Sequence, residues 1–73
     1  AETAASIRDE LLARPASSPA DIKALADRAK AAGLLGTAIV DEHGDTTTLG
    51  DWLRAKWAEA NAEQAKAASG GEG

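Results

Sequence analysis

Asp41, Glu42, His43 and Asp45 put three carboxylates and the chain's single imidazole within five consecutive positions. Such groups suit hard or borderline divalent ions, but their spacing does not. A helix-loop-helix calcium loop needs oxygen ligands at its first, third and fifth positions, Gly at the sixth and a bidentate Glu at the twelfth. Counting from Asp41 puts His43 third, Gly44 fourth and Trp52 twelfth. Alternate residues of a strand also face opposite ways, so four neighbours do not converge on one ion. No metal or cofactor is expected.

Nucleophilic catalysis is equally short of parts. His43 is the one available imidazole base, and Ser6, Ser17, Ser18 and Ser69 fall where capping or linker roles already account for them. A core this small leaves no room for a pocket of a few hundred cubic ångströms. Gly33 and Gly36 flank Leu-Leu, and Gly70-Gly71 precede no Lys, so a phosphate-cradling loop is missing. No Asp-Ser-Leu sequence offers an acyl-carrier attachment serine. The expectation is a protein that is not an enzyme.

The acids then matter as displayed charge. Residues 1–36 hold five acids and five bases, residues 37–49 three acids and no base, and residues 50–73 four acids and three bases. The middle stretch therefore carries −3 of the formal net charge of −4. A basic surface is the natural complement to it. Trp52 and Trp57 are the only aromatic residues, and aromatic anchors dominate many interfaces. Five helical positions separate them by roughly 140°. Trp57, four after Leu53, is assigned to the core; Trp52 is taken as the contact residue, and Arg54 and Lys56 as solvated.

Positioning these residues falls to a short chain. Its 73 residues allow one domain and a thin core, because 19 of its 32 apolar residues are Ala. There is no Cys to staple it. Ser6 with Asp9 resembles a capping pair for a helix over about 6–14 that puts Ile7, Leu11 and Leu12 on one side. Arg14-Pro15 ends it, and Pro-Ala-Ser-Ser-Pro forms a link. Ser18 caps a second helix over about 19–33, with Pro19 at its first position, apolar spacing through Ile22, Leu25, Ala26 and Ala29, and Gly33 as its stop.

The β-branched residues on either side of Glu42-His43-Gly44 predict a hairpin over about 37–49, with Gly44 supplying the positive φ of its turn. Thr48 caps a third helix over about 49–67, whose apolar stripe of Leu49, Trp52, Leu53, Trp57 and Ala60 then fades. Its last turns project, and 69–73 read as a flexible tail.

The run from Leu11 to Leu49 resembles winged-helix domains, in which a helix ending near Ala-Gly-Leu leads into an Asp-x-x-Gly hairpin wing. That resemblance implies DNA binding. Against it, one helix of the usual pair is missing, Lys23, Arg28 and Lys30 are offset by Asp21 and Asp27, and the wing is acidic where phosphates would approach. The layout of helix, short hairpin and helix also looks like the small head-to-tail joining proteins of tailed phages, though no motif accompanies it.

Taken together, the sequence predicts a small, mainly helical α+β domain spanning 1–68, ordered helix, helix, β-hairpin, helix. Its expected role is non-catalytic protein–protein docking or assembly, with Asp41, Glu42, Asp45 and Trp52 as partner-binding residues and another protein with a basic surface as partner. A homodimer stays possible. A DNA-binding winged-helix relative and a phage-type structural subunit are the alternatives. The start lacks a basic, greasy signal segment and no apolar run approaches a membrane span. A cytoplasmic location is expected.

Overall fold

The computed structural model describes residues 2–14 and 17–70. Pro15 and Ala16 of the expected link, and 71–73 of the expected tail, lie outside them. The elements run α1 (Ala4–Leu12), α2 (Pro19–Ala31), β1 (Ala38–Val40), β2 (Thr46–Thr48) and α3 (Leu49–Gly70). Mainly helical α+β architecture in the order helix, helix, hairpin, helix is therefore the observed one.

Each helix starts where a hydroxyl can take up its orphan amides. For α1 that residue is Thr3, whose side chain accepts from the Ser6 amide while Ser6 returns the bond to the Thr3 amide. The expected Ser6–Asp9 pair is thereby corrected: Ser6 is the far member of a box that begins three residues earlier. Ser18 and Asp21 form the same reciprocal box on α2, with Pro19 at the first helical position. Thr48 Oγ1 accepts from the Asp51 amide at the head of α3.

Helix α2 stops through its last carbonyls. Gly33, at φ 71°, donates to the Lys30 carbonyl and Leu34 donates to Ala29. This is a Schellman arrangement, and it turns Leu34 back against the core. The following loop is pinned to the start of α3: Leu49 donates to the Thr37 carbonyl and Gly50 to that of Leu35.

The core joins Ile7 and Leu11 of α1, Ile22 and Leu25 of α2, Ile39 of β1, and Leu49, Trp52 and Leu53 of α3. Ala4 and Ala29 are buried among them. Leu12 departs from expectation, lying 43% exposed, because it points about 100° away from Leu11 and about 140° from Ile7 around the helix axis. Beyond Ala60, α3 projects from the body: residues 62–66 are exposed and the helix continues to Gly70. Its Ala-rich composition sustains helix where nothing remains to bury, so it passes the expected end near 67. Among the described residues no helix is long and apolar enough to cross a membrane.

Candidate docking face

The hairpin pairs Ala38 with Thr48, Ile39 with Thr47 and Val40 with Thr46. Five residues, Asp41 to Asp45, connect the strands, and each turn-forming feature has a visible cause. Asp41 Oδ1 accepts from the amides of His43 and Asp45, at 2.8 and 2.9 Å. The Asp41 amide donates to the Asp45 carbonyl, the Gly44 amide donates to the Asp41 carbonyl, and Gly44 takes φ 84°. A short carboxylate at the first turn position and a Gly at the left-handed one are what this geometry needs. Asp41 thus spends one oxygen on the turn itself.

Glu42 is also engaged within the chain. Its Oε1 accepts from the Trp52 indole N–H at 2.9 Å, and its Oε2 pairs with the Lys56 ammonium. The Lys56 Nζ lies 5.6 Å from the Trp52 ring centroid, within cation–π range. The ammonium of Lys56, followed by the indole N–H, holds the Glu42 carboxyl down to about 2 from its ordinary 4.5. Hairpin and α3 are therefore clamped together, while Arg8 of α1 donates to the Val40 carbonyl at 2.8 Å from the other side.

These contacts exchange the expected places of the two tryptophans. Trp52, expected as the contact residue, is 4% exposed and belongs to the core; Trp57, expected in the core, is 45% exposed. The buried stripe of α3 runs through Leu49, Trp52, Leu53 and Ala60, and Trp57 stands about 80° from Leu49 around the helix axis. Lys56 is likewise not solvated, since its side chain is only 20% exposed over Trp52 and against Glu42. Of the four expected contact residues, Asp45 alone is exposed and has a side chain without a hydrogen bond or ion pair among the described residues.

Trp57 overlooks an open cleft of about 490 Å³ between α2 and α3, lined by Ile22, Lys23, Ala26, Leu35, Gly50, Leu53 and Arg54 besides itself. Gly50 lets this wall close up, because a Cβ there would sit 3.1 Å from the Leu35 carbonyl oxygen. The cleft holds two cations and no acid in a protein of net charge −4. Sequence reasoning missed it; Lys23 and Arg54 lie 31 positions apart, and only packing of α2 on α3 unites them.

A second open cleft of about 780 Å³ lies where α1, the start of α2 and the middle of α3 meet, with Leu12, Pro19 and Ala60 on its walls. The expectation that so small a core leaves no space of a few hundred cubic ångströms is corrected by these two surface clefts, which form between helices rather than inside the core. Arg28, on the helix a winged-helix protein would use for recognition, is tied to Glu10 at 2.6 Å and Glu2 at 2.8 Å. Hydrogen bonding to Arg28 lowers the Glu10 pKa, and Arg28 is raised in return. Among the described residues no group of three or more His, Cys, Asp and Glu is arranged to hold a metal ion. No family model, curated protein or solved structure matches the chain.

Proposed function

We propose that the chain is a non-catalytic protein–protein docking module, whose contact elements are the acidic hairpin turn and the Trp57 edge of α3. One observation carries this reading: Trp57 stands 45% exposed over an apolar cleft rimmed by charge. Large aromatic side chains in such positions are preferred interface anchors. Clamping by Glu42, Lys56 and Arg8 supports the reading too, since a turn held in one geometry loses little entropy on binding.

Asp41 and Asp45 leave the turn negative even with Glu42 paired, which favours a basic patch opposite it. The test is affinity capture from the cells that make the protein, using the wild-type chain and the double variant Asp45→Lys/Trp57→Ala. Both positions are exposed, so circular dichroism should show both chains folded. A discrete polypeptide retained by the wild type and lost by the variant is the expected result. Identical capture by the two chains would remove the reading.

A further inference from the structure

The basic surface that the hairpin calls for exists on the chain itself. Lys23 and Arg54 rim the α2–α3 cleft, Leu35 and Leu53 form its floor, and Trp57 forms its wall. Lys23 is engaged only by Asp27, at 3.5 Å with both side chains mostly exposed, which is a weak pairing. Arg54 makes no ion pair among the described residues. An occupant of this cleft should present an apolar side chain next to acids.

The hairpin has that composition. Val40, at the turn end of β1, is 48% exposed and is followed directly by Asp41, with Asp45 closing the turn just before β2. We propose that the hairpin of one copy docks in the α2–α3 cleft of a second copy, Val40 against Trp57 and Leu35, Asp41 and Asp45 against Lys23 and Arg54. The inference rests on the docking reading and names the partner as this chain. Hairpin and cleft are unlike patches, so each contact joins the hairpin of one copy to the cleft of another. A contact made by one turn is small, so the inference is tested over weak dissociation constants, from about 10 μM to 1 mM.

Sedimentation equilibrium of the full chain from about 20 μM to about 2 mM, a span fixed by that range, tests the inference. The expected result is an average mass rising above 7.4 kDa, more strongly at low salt than at high. Trp57→Ala breaks the cleft and Asp45→Lys breaks the hairpin, and each should weaken self-association about tenfold or more. Mixing the two variants is the decisive arm, because the intact hairpin of one still fits the intact cleft of the other. A heterodimer that grows no further is expected there.

A mass of 7.4 kDa at every concentration overturns the second-copy proposal. So does association that Trp57→Ala abolishes and Asp45→Lys leaves unchanged, which would make the contact cleft-to-cleft. Capture of another polypeptide by a chain that stays monomeric would sink this inference and leave the docking reading standing.

Discussion

Glu42 shows how one side chain converts a flexible turn into a fixed feature. Its carboxylate reaches the Trp52 indole and the Lys56 ammonium together, so one of the three acids expected to meet a partner serves the fold instead. Because its folded pKa is about 2 and that of an unfolded Glu is roughly 4.3, its stabilisation is fully present above the unfolded value. It is lost as pH falls through about 2. Urea titrations of wild type and Glu42→Gln should differ by about 1.5 kcal/mol at pH 7. The difference should shrink below about pH 4 as wild-type Glu42 protonates; a gap unchanged down to pH 2 would show that the clamp is not ionic.

The tryptophan exchange has the same origin. Sequence spacing gave Leu53 and Trp57 a common face, whereas the stripe Leu49, Trp52, Leu53 and Ala60 was equally available at i, i+3, i+4 and i+11. Trp52 has, in addition, a carboxylate ten positions upstream that accepts from its indole N–H, and such long-range partnering leaves no periodic trace.

The helices and hairpin were legible because their ends carry local chemistry. Ser18-Pro19-x-Asp21, Gly33 and Thr48-x-x-Asp51 each act within one turn of helix, and all three hold in the structure. Thr3 and Ser6 offer the same hydroxyl, and only the reciprocal pair of bonds shows which residue begins the helix. Gly44 is the most exposed point of local logic: φ is 84° and nothing lies within 4 Å of a Cβ placed there. Gly44→Ala should therefore cost backbone strain alone, about 1 kcal/mol, lowering Tm by about 5 °C. Gly44→Asn should recover much of that loss, since Asn tolerates the left-handed region. Equal, unaltered melting of both variants would mean that the turn does not hold this conformation in solution.

The assembled molecule spans 45 × 25 × 18 Å, and because the far part of α3 projects, the core of the described residues is closed by α1, α2, the hairpin and only the first turns of α3. Composition foretold the thin core, but the clefts between helices could not be read from it, because their residues converge only when α1, α2 and α3 pack. The same convergence gathers Lys23, Arg54 and Trp57 into a cationic, apolar site on an otherwise acidic protein. Fold prediction from sequence thus reached further than site prediction: elements depend on neighbours along the chain, and the Trp57 cleft depends on neighbours across it.

The most direct measurement is site-specific photocrosslinking in the cells that make the protein, with the photoreactive side chain at position 57 and, as control, at exposed Ala62 on the projecting part of α3. Docking through the Trp57 edge predicts discrete adducts from position 57, with a second copy or another polypeptide, and none from position 62. The same faint pattern from both positions would contradict it.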